Sequence, residues 1–199
     1  MECLYLVTGN ENKYKEASEI LSEYDIKLCM ANIDKLEIQS PRLEDIAFFA
    51  ARIAFSQLKK PLIVDDSGLF INSLKGFPGP YSSYVYKTIG YEGVLKLMSD
   101  KDNRRACFKT VAVLVYPPIE KIFVGETCGF ITTSPRGSGG FGFDPIFVPE
   151  GSDRTYAEMS IEEKNTISHR GKAFRKLGHW LAKNLFGFKG NNPENNITI

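Results

Sequence analysis

The stretch from Phe108 to Thr133 constrains the fold of this chain more than any other. A β-branched and aromatic run, Phe108 to Tyr116, leads into Pro117-Pro118 and then into a second such run, Ile122 to Thr133. Paired prolines cannot sit inside a central strand but suit a tight connection, so the pattern predicts two long antiparallel strands. Upstream the signal alternates. Leu4-Tyr5-Leu6-Val7 reads as a buried strand, and Tyr14, Ala17, Ile20, Leu21 and Tyr24 recur at helical spacing from about Asn12 to Tyr24. A second helix starts near Pro41-Arg42, with Leu43, Ile46, Ala47, Ala50, Ile53, Ala54 and Leu58 inward until Pro61 stops it. Leu62-Ile63-Val64 is a short strand entering Asp65-Asp66-Ser67-Gly68, with Leu69-Phe70-Ile71 as its continuation. Helical patterns return from Tyr81 to Ser99 and from about Ser168 to Phe186. Early alternation followed by a long hairpin predicts an α/β fold, a mixed twisted β-sheet with helices flanking it, rather than a purely parallel doubly wound sheet. Residues 1–188 read as one domain, and the Asn-rich 189–199 as a tail without order.

Charge and cysteine content narrow the function classes. With 199 residues and a formal net charge of +1, no global field recruits nucleic acid or an anionic membrane, so neither is expected as a partner. No apolar run approaches a membrane span and no basic leader precedes the first strand, which makes the cytoplasm the expected location. The four cysteines, Cys3, Cys29, Cys107 and Cys128, form no C-x-x-C pair and read as small buried hydrophobes rather than disulfides or metal ligands.

Four segments could carry chemistry. Thr8-Gly9-Asn10-Glu11-Asn12-Lys13 joins a strand end to a helix start, where unpaired N–H groups favour an anion and Gly9 permits close approach. Taken alone it is read first as an ordinary helix cap. Asp65-Asp66-Ser67-Gly68 ends an apolar strand, and a carboxylate there with Glu37 could hold Mg²⁺. Strand geometry turns Asp65 and Asp66 to opposite faces, and Asp66, next to Ser67, is taken as the inward one. A solvated acidic turn is the plain alternative. Gly137 to Gly142 fits G-x-G-x-x-G literally, but Asp144-Pro145 prevents the helix that a dinucleotide site needs. Phe141-Gly142-Phe143-Asp144 is instead read as an exposed aromatic platform for a base with Asp144 at its polar edge, the alternative being core packing. Finally, Lys164, His169 and Arg170 gather donors around a helix start, where positive charge opposes the macrodipole unless an anion or acceptor-rich ring offsets it.

Taken in order, T-G-N-x-x-K, D-D-S-G-L, G-F-P-G-P-Y-S, G-F-G-F-D-P-I-F, A-E-M and E-E-K-N-x-I-S-H-R resemble the HAM1/RdgB-type inosine/xanthosine triphosphate pyrophosphatases, from Leu4 to about Leu185. The resemblance implies an active-site cleft between two lobes, a homodimer, and hydrolysis of ITP, dITP and XTP to the monophosphate and pyrophosphate with one or more Mg²⁺ per site. It further implies that residues Thr8, Gly9, Asn10, Glu11, Asn12 and Lys13 bind the triphosphate, that Glu37 and Asp66 hold the metal, and that Asp66 accepts the proton of the attacking water. Ser67, Phe141, Gly142, Phe143, Asp144, Lys164, His169 and Arg170 are the remaining substrate residues it implies, with Phe143 stacked on the purine. Two positions depart from the family pattern: Ser83 stands where a basic residue usually follows Tyr-Ser, and Arg52 is the nearest candidate for a phosphate-reaching lysine. A non-catalytic nucleotide sensor would not need Glu37 and Asp66, and a Maf-like pyrimidine pyrophosphatase would not carry the S-H-R and G-F-G-F-D blocks.

Overall fold

The computed structural model describes residues 3–33, 36 and 38–185. Glu37 and the 189–199 tail lie outside the described residues. Seven strands form one sheet in the order β2-β1-β3-β5-β6-β7, with β4 on the side of β3. They are β1 (Leu4–Val7), β2 (Leu28–Ala31), β3 (Leu62–Ile71), β4 (Pro78–Gly79), β5 (Arg105–Tyr116), β6 (Ile119–Ile131) and β7 (Phe147–Pro149). The helices are α1 (Glu11–Ser22), α2 (Leu43–Leu58), α3 (Ser82–Leu97), α4 (Ile161–Ile167) and α5 (His169–Asn184). β1 runs parallel to β2 and β3, and every other pairing is antiparallel. The mixed sheet and the long β5–β6 hairpin are as the sequence predicts.

Strand alternation sorts the core onto two faces. Leu6, Ile63, Ala112 and Leu114 meet α1 and α5 through Ala17, Ile20, Leu21, Phe174, Leu177 and Leu181. Their neighbours in sequence, Val7, Leu62, Val64, Val111 and Val113, turn the other way onto the alanine-rich stripe of α2. Each fully buried Leu, Ile or Phe contributes about 1.5–3 kcal/mol relative to exposure. Farther along the same strands, Leu69, Ile71 and Phe108 pack with Val85, Val94, Phe147 and Tyr156 in a second core cluster. β3 therefore serves both clusters without a break.

Several local expectations need correction. β2 and α4 went unread because four residues, LCMA, and seven, IEEKNTI, are too short to show a period. The predicted helix over 81–99 is interrupted at Gly90, whose φ of 65° leaves the helical region. The cysteines are not separate buried thiols: Cys3 is joined to Cys29, and Cys107 to Cys128. Pairing follows from register, which sequence spacing did not reveal: β1 lies beside β2, and Cys107 stands directly opposite Cys128 in the hairpin. Among the described residues, no helix is long and apolar enough to cross a membrane.

Candidate active site

β1 has only four residues and pairs with Leu62 and Ile63 alone on β3, so β3 runs on past its end. Beside that overhang the chain turns through Thr8-Gly9-Asn10 into α1. The side chain of Asn10 accepts from the N–H groups of Asn12 (3.0 Å) and Lys13 (3.3 Å), and Thr8 Oγ1 accepts from the Asn10 N–H at 3.1 Å. The segment is thus a true helix cap, with Gly9, Glu11 and Asn12 exposed. It also aims Lys13 across at β3, where Nζ donates to the Asp65 carbonyl and reaches Asp65 Oδ2, both at 3.3 Å.

From Lys13 a chain of paired charges runs through the interior. Asp65 Oδ2 also faces Arg170 Nε at 3.3 Å, and Arg170 Nη1 donates to Glu16 Oε2 at 2.6 Å. Glu16 Oε1 meets Lys164 Nζ at 2.7 Å, and Lys164 donates to Asp144 Oδ2 at 2.5 Å. Acid and base alternate along the whole row, Asp144, Lys164, Glu16, Arg170, Asp65, Lys13, and only Lys13 is appreciably exposed, its side chain at 17%. Such a row tolerates burial because each charge has opposite neighbours and hydrogen bonds. Burial pushes the Glu16 carboxyl up, but Arg170 and Lys164 outweigh it and hold the group below its usual range. At Asp144 burial prevails over Lys164 and the value is raised. Burial alone would lower the Arg170 value, yet Glu16 and Asp65 raise it, so the guanidinium stays charged.

Two close approaches fix the helix that presents Arg170. A Cβ on Gly125 of β6 would strike the His169 carbonyl and the Ala173 nitrogen, and one on Gly171 would strike the Asn165 carbonyl. Ser168 caps α5 by accepting from the Gly171 N–H at 3.0 Å. His169 stacks on Phe108, centroids 4.6 Å apart and planes 9° from parallel. Burial, then the charges of Arg170 and Lys164, hold its imidazole well below the usual histidine value and therefore neutral near pH 7. Nδ1 of His169 has no hydrogen-bond partner among the described residues.

The sequence-derived site residues fall into two groups. Lys13, Ser67, Asp144, Lys164 and Arg170 come together: Arg170 Nη2 donates to Ser67 Oγ at 3.0 Å, and the half-buried ring of Phe141 lies 4.7 Å from Lys164 Nζ. The Phe141 N–H in turn donates to Asp144 Oδ2 at 2.7 Å. Phe143, expected on an exposed platform, is only 3% exposed and meets Tyr86 edge to face at 5.5 Å. Gly142, half-buried with φ 63°, lets the chain turn between the two aromatics. Of the adjacent acids, Asp65 and not the expected Asp66 is the inward one: it is 1% exposed and faces Lys13 of α1 and Arg170 of α5. The half-buried Asp66 accepts from the Ser67 N–H at 2.8 Å. Arg52 is away from this group, paired with Glu120 at 2.8 Å. Sequence reasoning sets Asp65 aside for Asp66 and misses Glu16, although an acid on the same helical stripe as Ala17 and Ile20 is a signal for it.

Paired charges at the carboxyl ends of parallel strands, beside a capped helix start, define a familiar class of α/β proteins that place their ligand at that edge. The chain belongs to the Ham1 family, whose model matches residues 4–180. It is similar to the dITP/XTP pyrophosphatase of Hyperthermus butylicus, 51% identical over 89% of this chain and 94% of the relative. The dITP/XTP pyrophosphatase of Thermococcus kodakarensis is 50% identical over 92% of this chain and 98% of its own length. Among solved structures, a HAM1 protein from Coxiella burnetii superposes with a TM-score of 0.80 at 33% identity, covering 92% of this chain and all 100% of that one.

Proposed function

We propose that this protein is a nucleoside-triphosphate pyrophosphatase that hydrolyses ITP, dITP and XTP to the monophosphate and pyrophosphate, clearing non-canonical purines from the cytoplasmic pool. The row of buried ion pairs from Asp144 to Lys13 carries this reading. It ties the Phe141–Asp144 segment, suited to a ring, to the Thr8–Lys13 turn, suited to phosphates, in one rigid arrangement. Similarity to dITP/XTP pyrophosphatases over nearly the whole chain supports it. The base lies against the half-buried Phe141, with Asp144, Lys164, His169 and Arg170 around it. The phosphates lie toward Lys13 and the N–H groups of the 8–13 turn, and Ser67 lies between.

Asp65 is engaged by Lys13 and Arg170 inside the ion-pair row, and the half-buried Asp66 beside it is the carboxylate that joins Glu37 in holding Mg²⁺. Half-buried, with hard oxygen donors only, Asp66 fits that ion. When bound, the ion supplies positive charge to the phosphate oxygens and acidifies a coordinated water. Asp66 orients the attacking water and takes its proton.

Preference for a 6-oxo purine rests on donors. Arg170 commits Nε, Nη1 and Nη2 to Asp65, Glu16 and Ser67, so its remaining N–H groups and the neutral His169 address the keto oxygen. An adenine amino group would leave them unpaired, a mismatch that sites of this kind reject by ~10⁴-fold or more. Exposed Phe77, Tyr81, Tyr84 and Ile89, on and just before α3, offer an apolar surface for a homodimer.

A panel of ITP, dITP, XTP, ATP, GTP and dUTP with Mg²⁺, assayed for pyrophosphate against orthophosphate, tests the reading. Pyrophosphate from the 6-oxo purines is expected; orthophosphate release, or equal turnover of ATP, overturns it. Asp66→Asn should lower kcat by about 100-fold or more with little change in KM. Light scattering should give twice the chain mass, and Tyr84→Glu should halve it.

A further inference from the structure

On the α2 side of the hairpin, away from the ion-pair row, three metal-capable side chains converge. Cys107 and Cys128 stand directly opposite each other, with Cα atoms 4.0 Å apart, and Lys109 and Glu126 form the next pair on that face. Glu126, two residues before Cys128, therefore points the same way. Its Oε1 lies 3.6 Å from Cys128 Sγ, and one ligand atom from each of Cys107, Glu126 and Cys128 fits within 4.8 Å of the others. Around a tetrahedral ion with bonds of about 2.0–2.3 Å, donor atoms stand roughly 3.5–3.8 Å apart. The carboxylate is already at that spacing.

We propose that Cys107, Glu126 and Cys128 form a redox-gated site for a thiophilic divalent cation such as Zn²⁺, closed by the disulfide and opened by its reduction. A phosphine donates two electrons to the S–S bond and becomes the phosphine oxide, one water supplying its oxygen to phosphorus and its two protons to the Cys107 and Cys128 thiols. A dithiol does the same by closing to its own disulfide and passing on its two protons. The cation then displaces both thiol protons to solvent and binds two thiolates and one carboxylate. Two ligands on neighbouring strands and a third on the same strand need no backbone rearrangement, because the hairpin register already places them. Cys107 and Cys128 are half-buried and Glu126 is exposed, so reductant and ion can reach them and a fourth position faces water. Arg42, Glu44 and Lys109 line the same hollow beside Cys107 and Glu126, and Lys109 is held by Glu44 at 2.6 Å, so it does not compete for Glu126. Sulfur donors select this class of ion and separate the site from the all-oxygen chemistry of Asp66.

Co²⁺ is the probe, because sulfur ligation produces an intense near-ultraviolet charge-transfer band that oxygen ligands do not. The full-length chain should show no band when oxidised. After phosphine reduction it should bind one Co²⁺ per chain with that band, and Zn²⁺ should displace it. Cys107→Ser/Cys128→Ser should abolish the band and Cys3→Ser/Cys29→Ser should retain it. Glu126→Gln should weaken binding at least tenfold. A reduced chain without the band overturns the proposal, as does a band indifferent to Glu126→Gln, which would mark a site made by other thiols. That last comparison needs no serine variant, so a chain that fails to fold without its cysteines still leaves the proposal open to refutation.

Discussion

Glu16 holds two buried cations at once, Lys164 and Arg170, at 2.7 and 2.6 Å. Removing it leaves both with uncompensated charge in a dry interior, a situation that costs about 3–5 kcal/mol. Glu16→Ala should therefore lower unfolding free energy by about that amount in denaturant titrations, while Glu23→Ala, at an exposed pair just past the end of the same helix, should cost less than about 1 kcal/mol. His169 makes a second prediction, in pH. Burial, then neighbouring positive charge, puts its folded value well below the ordinary 6.5, so it takes up a proton on unfolding. Stability should be level above about pH 6.5 and should fall by about 1.4 kcal/mol per pH unit below it, until the folded value is reached. Glu16, with its lowered value, adds a loss only below about 4.5, and Asp144, with its raised value, works in the opposite direction. Comparison with His169→Asn cancels those contributions: the variant is less stable overall but should lack the slope between pH 6.5 and 5.

At the scale of elements, α5 is held by how closely β6 can approach it. Gly125→Ala pushes a methyl into the backbone at His169 and Ala173, and overpacking of this kind costs about 1–3 kcal/mol. The helix must shift and Arg170 shifts with it, so lower melting temperature should be accompanied by raised KM for ITP. Long elements with a clear period were legible in the sequence: α1, α2, α5 and the hairpin lie within a few residues of expectation. β2 and α4 were not, being too short for a period to emerge, and Gly90 broke a helix whose apolar spacing continued on either side. The site was legible as residue types and illegible as partners. Asp144, Lys164 and Arg170 stood out as unusual charges, yet the link from Lys164 to Arg170 runs through Glu16 and that from Arg170 to Lys13 through Asp65, which only the crossing of α1, β3 and α5 brings between them.

The molecule as a whole is cross-linked at its edge and along its hairpin, by Cys3–Cys29 and Cys107–Cys128, with sequence separations of 26 and 21. Loops of that size imply about 3 kcal/mol each from restriction of the unfolded chain. Reduction should lower the unfolding free energy by up to roughly 6 kcal/mol if both effects are realised in full, and each paired serine variant should account for its share in chemical denaturation. Both linkages escaped sequence reading because cysteine partners are set by strand register rather than spacing. β3 has a different bearing on the whole. It passes without interruption from the core under α1 and α2 to the core under α3, flanked by β5 along its entire length. Halves joined by a continuous ribbon cannot swing like a door on a pin. Any movement of one core against the other has to come from twisting the ribbon itself, a stiff spring that returns to one resting angle once its load is gone.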